Sequence, residues 1–154
     1  MPITLVLNSY YFVEDVIPGT LQELAGEEGE SQLFKAISRN GHRMLITDRG
    51  AGVSIKREYE TEAIKRGLGP QLVVVLDQLT AQRVAITPNV PRRPIPNLRG
   101  SHKIFIEDAV AAGVEYFLTE YGPWRRLDRD RRLCPNLRIV TARQFVRAVR
   151  ATDL

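Results

Sequence analysis

The sequence predicts an α/β fold, a three-layer α/β/α sandwich around a central parallel sheet of about five strands. Three observations carry this. Short runs of β-type apolar residues alternate with longer stretches in which apolar residues recur at helical spacing. Turn residues punctuate the junctions between them. The 154 residues, 44% hydrophobic and 26% charged, suit one globular domain spanning 1–154 that buries its own core. Strand–helix alternation of this kind asks for a parallel sheet covered on both faces.

Ile3 to Leu7 reads as a buried strand ending in the polar, turn-prone pair Asn8-Ser9. Residues 19–39 follow with Leu21, Leu24, Leu33 and Ile37 at helical intervals, and the Gly/Glu stretch between them divides two helices at a loop near Gly26 to Gly29. Asn40-Gly41 closes the second. Met44 to Thr47 is the next strand, and Asp48 to Gly52 a loop. Ser54 caps a helix running through Lys65, because its hydroxyl can accept from free amides of the first turn; Gly67, Gly69 and Pro70 stop it. Residues 71–82 admit two readings. Leu72 to Leu76 could be a buried strand, but Leu72, Val75, Leu76 and Leu79 fall at helical intervals, and Gln78, Thr80 and Gln82 tilt the balance to a helix. Val84 to Thr87 is the third strand. Pro88 to Gly100, with four prolines and three arginines, is a loop. A helix over 101–112 carries Ile104, Phe105, Ala109 and Ala112 on its apolar side and ends at Gly113. Tyr116 to Thr119 and Leu137 to Val140 are the last strands, and Thr141 caps a final helix with Phe145, Val146 and Val149 inward.

Charge is unevenly spread. The net +4 combines nine Lys/Arg against eleven Asp/Glu in residues 1–90 with thirteen against seven in residues 91–154. Basic residues gather at Arg92, Arg93, Arg99 and Lys103, then at Arg125, Arg126, Arg129, Arg131 and Arg132. Such a surface suits an anionic partner, nucleic acid or an acidic protein tail; a solvated arginine-rich face accounts for it equally. A lone Cys134 makes no internal disulfide, which fits a reducing compartment. Apolar runs stop well short of the ~20 residues of a membrane span, and no charged stretch leading into an apolar one opens the chain. The expectation is a soluble, cytoplasmic protein with no membrane partner. Other chemistry fares worse. Arg49-Gly50-Ala51-Gly52 has neither the Lys nor the spacing of a phosphate loop. Cys134 has no second Cys for zinc; nearby arginines would lower its pKa, or it is an incidental thiol.

In open parallel sheets functional groups gather at the carboxyl ends of strands, here Asn8-Ser9, Asp48 with the helix after it, and Thr119-Glu120. The segment from Ser101 to Leu127 includes His102 to Ala109, then Ala112-Gly113, the strand Tyr116-Phe117-Leu118-Thr119, and Glu120-Tyr121. It resembles the C-terminal half of PIN-domain proteins, in which an Ala-rich helix ends in Gly and a strand ends in Thr-x-Asp. Leu7-Asn8-Ser9 resembles their Leu-Asp-Thr/Ser opening, Ile55 to Tyr59 the helix that supplies their Glu, and Leu137 to Phe145 their final strand and helix. In order and spacing the resemblance covers nearly the whole chain, and it is strongest to the compact PIN toxins of bacterial toxin–antitoxin pairs. It implies a PIN-like, Rossmann-like fold, a Mg²⁺- or Mn²⁺-dependent ribonuclease activity, and a small antitoxin partner.

Phosphodiester hydrolysis of that kind needs three or four carboxylates at one sheet edge, holding a cation that polarises the phosphate and lowers the pKa of the attacking water. By the resemblance, Asn8 stands at the first Asp position, where an amide brings an oxygen but no charge. Ser9 takes the adjacent hydroxyl position. Glu58 takes the helix carboxylate, or is a solvated Glu beside Arg57 and Glu60. His102 stands where the family has Asp; imidazole suits zinc or nickel better than magnesium, and a helix cap is the competing reading. Thr119 fits the strand end, but the acid expected after it has become Tyr121, with Glu120 one residue early. Asp15, Asp48 and Asp108 are other acids nearby, and Asp108, farther along the helix from His102, is not expected to complete the site. The candidate catalytic positions are therefore Asn8, Glu58, His102 and Glu120, supported by Ser9 and Thr119. Only Glu58 and Glu120 remain as metal carboxylates, so the expectation is no metal or weakly bound Mg²⁺/Mn²⁺.

Candidate nucleic-acid contacts are Arg92, Arg93, Arg99, Lys103, Arg125 and Arg126, with Trp124 either stacking on a base or covering the core. The expected function is a nuclease-fold protein with a dismantled metal site that binds RNA or a protein partner with little or no cleavage. The alternative is a metal-dependent endoribonuclease, the toxin of a toxin–antitoxin pair. A protein-binding subunit or homodimer is a third reading, with apolar Tyr10-Tyr11-Phe12-Val13 as its interface.

Overall fold

The structure, a computed structural model, describes residues 2–29, 31–100, 102–130, 132, 134 and 136–152; Ser101 and Arg131 of the segments above lie outside the described residues. The expected strands are present as β1 (Thr4–Leu7), β2 (Arg43–Leu45), β3 (Ala85–Ile86), β4 (Tyr116–Leu118) and β5 (Arg138–Val140). They form one sheet in the order β3-β2-β1-β4-β5, and every neighbouring pair is parallel. Parallel neighbours cannot be joined by tight turns, so helices make the crossovers and cover the sheet as a three-layer sandwich. Leu5, Val6, Leu7, Met44, Leu45, Phe117 and Leu118 are all buried. This is why the strands read as unbroken apolar runs and not as alternation: both faces are dry. The chain builds outward from β1 to β3 and then returns to place β4 on the other side of β1. The reversal makes the β1/β4 boundary the topological switch point, where a crevice opens at the carboxyl ends.

The largest departure from expectation follows β1 directly. Helix α1 (Ser9–Tyr11), a π-helical turn (Phe12–Val16) and α2 (Ile17–Leu24) form one unbroken helical run that begins ten residues before the expected start at 19. Its cause is Pro18. In a regular α-turn the proline ring would crowd the carbonyl four residues back and offer no amide to it. The wider π-turn, in which the Ile17 amide donates to the Phe12 carbonyl, makes room. Tyr11, Phe12 and Val13 turn into the core, with Phe12 stacked on Tyr59 at 4.0 Å between ring centroids. Of the four residues expected to offer an apolar interface only Tyr10 is exposed, so that surface does not exist.

Helix α3 (Gln32–Ser38) starts at Ser31, whose hydroxyl accepts from the Phe34 amide at 3.1 Å. Gly19 lets α2 approach α3 closely: a Cβ there would lie 2.7 Å from Phe34 Cδ2. Helix α4 (Ile55–Lys65) is capped by Ser54 as expected, and α5 (Gly69–Ala81) settles the ambiguous segment as helix. Only the Leu72, Val75 and Leu79 face of α5 is buried, while Val73 and Val74 face solvent, an arrangement a two-faced strand would not allow. Pro70 opens α5 rather than merely closing α4, since the first turn of a helix has no use for its missing amide.

Helix α6 (Ile104–Ala111) is buried around nearly its whole first turn and a half, including Glu107 and Asp108. Asp108 is fully buried and accepts from both Arg49 guanidinium nitrogens at 2.8 Å and from the Thr47 hydroxyl. Arg49 also donates to the Val90 carbonyl, tying the proline-rich loop to the sheet edge. Asp108 is thus consumed in a structural ion pair away from His102. Beyond β4, α7 (Gly122–Arg125) and a 3₁₀ turn (Arg126–Arg129) occupy a stretch with no expected element. Helix α8 (Ala142–Thr152) is opened by Thr141, which exchanges hydrogen bonds with Gln144 in a capping box. Among the described residues no helix is long and apolar enough to cross a membrane.

Candidate functional site

At the switch point a cleft of about 430 Å³ opens between the ends of β1 and β4. Asn8 and Ser9 enter it from β1, Thr119 and Tyr121 from β4, His102 and Phe105 from the start of α6, and Trp124 from α7. Helix α4 adds Glu62 and Arg66. The strand ends therefore do bring Asn8, Ser9 and Thr119 together with His102.

What these groups do differs from what the resemblance implies. Asn8 Oδ1 accepts from the Tyr11 amide at 2.9 Å, capping the helix after β1, and its Nδ2 donates to Thr119 Oγ1 at 3.1 Å. Both ends of the amide are thereby used. Thr119 Oγ1 also accepts from the Tyr121 amide at 3.1 Å, so the hydroxyl knits the two strand ends. Ser9 Oγ is buried without a hydrogen-bond partner among the described residues.

Glu58 Oε2 lies 2.6 Å from His102 Nδ1, with the histidine side chain 54% exposed and the carboxylate 18% exposed. His102 therefore does not cap α6, which has no side-chain cap among the described residues. It bridges α6 to α4. Glu120 departs furthest: its carboxylate accepts from the Tyr11 hydroxyl, which itself accepts from the Ala142 amide at 3.1 Å. That arrangement directs Glu120 toward the start of α8, and it does not line the cleft. Burial and the Glu120 carboxylate hold the Tyr11 hydroxyl well above the usual tyrosine range. A hard divalent cation needs several anionic oxygens converging on one point. Among the described residues no three His, Cys, Asp or Glu side chains do so, and the residues at the family's acid positions do not fit one.

Two cleft residues went unread in the sequence although a signal was present. Glu62 and Arg66 follow Glu58 at i+4 and i+8, so they share its helix face. Arg66 pairs with Glu62 and Glu14 and lies 5.7 Å over the Tyr10 ring. Tyr10 and Tyr121 each follow a strand end by a few residues and are 54% and 55% exposed. Trp124 is buried and covers the core, edge-on to Tyr121 at 5.1 Å and packed on Phe105 and Phe117. It does so from the wall of the cleft, against Gly100, where φ is 121° and an added side chain would be strained.

The basic residues split into two groups. Arg99 and Lys103 adjoin the cleft-lining Gly100 and His102, and Arg125 and Arg126 adjoin Trp124. Arg92 and Arg93 belong to the loop beyond Val90, on the Arg49 side. Cys134 is buried, and burial first, then Asp130, pushes its thiol above the usual range; the expected lowering by nearby arginines does not occur.

Compared with protein-family models, curated proteins and solved structures, the chain matches none. The five-stranded parallel sheet shows the fold class alone.

Proposed function

We propose that this chain is a single-stranded RNA-binding protein on a PIN-like scaffold, whose cleft takes bases and assembles no divalent-cation nuclease centre. The observation that carries this reading is the wall of the cleft. Two half-exposed tyrosines, Tyr10 and Tyr121, stand beside Trp124 and Phe105 where a nuclease would present its acids. Stacking of a base on such a ring contributes about 1–3 kcal/mol and tolerates any base. Inside, Glu62 offsets the charge of Arg66, which disfavours phosphates there. Arg99, Lys103, Arg125 and Arg126, next in sequence to the cleft-lining Gly100, His102 and Trp124, are the cations proposed for the backbone, and none of them forms an ion pair among the described residues. Bases inward and phosphates outward is the arrangement such a charge pattern favours. The preference for RNA comes from the PIN resemblance.

The test is anisotropy of a labelled oligouridine, with electrophoresis of the same oligonucleotide after incubation with Mn²⁺. Binding that weakens steeply with salt, no cleavage, and a loss of roughly 5- to 150-fold on Tyr121→Ala are expected. Absence of affinity even at low salt overturns the binding reading. Mn²⁺-dependent cleavage abolished by Glu58→Gln overturns the claim about the metal and establishes the ribonuclease instead.

A further inference from the structure

A second surface, sharing no residue with the cleft, lies along α3 and α8. Helix α8 buries Phe145 and Val149 and turns Arg143, Arg147 and Arg150 outward. Their i, i+4, i+7 spacing sets three guanidinium groups in one row about 10 Å long. The row borders a groove of about 760 Å³ whose other wall is Gln32 and Leu33 of α3, with Ala142 and Val146 as half-buried apolar floor. Among the described residues one carboxylate, Asp15, reaches the groove, and the Ser31 hydroxyl donates to it at 2.7 Å. Arg150 donates to Gln32 Oε1, and none of the three arginines forms an ion pair among the described residues.

Like charges on successive turns destabilise a helix by a few tenths of a kcal/mol per pair, about what an opposite pair would contribute. Beyond the Arg150–Gln32 bond the row adds little to the fold, and its charge is left open to a complementary surface. The floor decides which surface that is. A nucleic-acid strand stacks its bases on aromatic rings, and among the described residues this groove is lined by none, whereas the apolar stripe of an amphipathic helix fits the aliphatic floor of Leu33, Ala142 and Val146. Its own rise matches that of α8, so carboxylates at i, i+4 and i+7 fall opposite the arginines. We propose that this groove binds an acidic amphipathic helix of another protein, with apolar side chains on the Ala142–Val146 floor and a carboxylate row against Arg143, Arg147 and Arg150.

The probe is a labelled synthetic helix carrying a Leu stripe flanked by Glu at i, i+4 and i+7, with a scrambled peptide as control. Its anisotropy is titrated with the full chain. Arg143 and Arg147 are exposed, so the double reversal Arg143→Glu, Arg147→Glu should leave the circular dichroism spectrum unchanged. It should weaken the peptide about tenfold or more. A peptide with Lys in place of Glu should then prefer the reversed chain. Tyr121→Ala, aimed at RNA in the cleft, should leave peptide affinity untouched, so the two surfaces are judged separately. The inference falls if the scrambled peptide binds as well, if charge reversal has no effect, if Tyr121→Ala weakens the peptide, or if oligouridine displaces it from the groove.

Discussion

Asn8 offers the sharpest test of whether this strand end is a cation ligand or a structural cap. Its side chain makes two bonds, accepting from the Tyr11 amide and donating to Thr119 Oγ1. Asn8→Ala removes both. Loss of an N-cap costs about 1 kcal/mol, and loss of a part-buried hydrogen bond about 1 more. Together they predict roughly 2 kcal/mol, or a melting temperature lower by roughly 4–8 °C in a chain of this length. Asn8→Asp should be nearly neutral, within about 0.5 kcal/mol, since carboxylates cap as well as amides. The Thr119 hydroxyl, which already accepts from the Tyr121 amide, would donate to the new carboxylate. Thermal unfolding followed by circular dichroism, with and without excess Mn²⁺, measures both variants. A ligand role would show itself through linkage, because a cation held only by the folded state raises stability in proportion to its occupancy. If Asn8→Ala costs under about 0.5 kcal/mol, or if Mn²⁺ stabilises the parent chain but not the variant, the capping argument is refuted.

Asp108→Ala should cost about 3 kcal/mol or a little more in urea unfolding, the lower end for breaking a buried pair, because Arg49 at 19% exposure can regain some water. Arg49→Ala on top of it should add much less than it costs alone; full additivity would show that the two residues are not coupled. Burial also holds the Tyr59 hydroxyl above the usual tyrosine range, as it does Tyr11, so the folded chain keeps protons that the unfolded chain releases near pH ~10. Stability should therefore be intact below that pH and fall as pH rises past it. Tyr59→Phe should flatten the alkaline slope while costing about 1 kcal/mol at neutral pH through the lost bond to the Leu7 carbonyl; an unchanged slope would contradict the assignment.

The strands were legible because burial on both faces turns them into unbroken apolar runs, a pattern that survives without any tertiary knowledge. The cap at Ser54 was legible for a similar reason, since the first turn is a local property, while the apolar period over α5 tilted toward helix without deciding it. Two helices were not legible. The run from Ser9 to Val16 is continuous only because a π-turn accommodates Pro18, and α7 begins with Gly122-Pro123, which locally reads as a loop. In both, packing of aromatic side chains into the core outweighs weak intrinsic propensity. Glu62 and Arg66 could have been found by following the helical period onward from Glu58.

From sequence alone came the alternation that makes a parallel sheet, the strand ends where a site would open, and the shortage of acids at those ends. Those are matters of residue type and spacing, which a linear chain carries in full. Only the folded chain decided that the Asn8 amide is spent on a cap, that Glu58 holds His102, and that Glu120 turns to Tyr11 and away from the cleft. The direction a side chain takes at a strand end depends on which donors neighbouring elements bring within about 3 Å of it. Those donors, Tyr11 and Ala142 among them, lie as many as 131 residues apart along the chain.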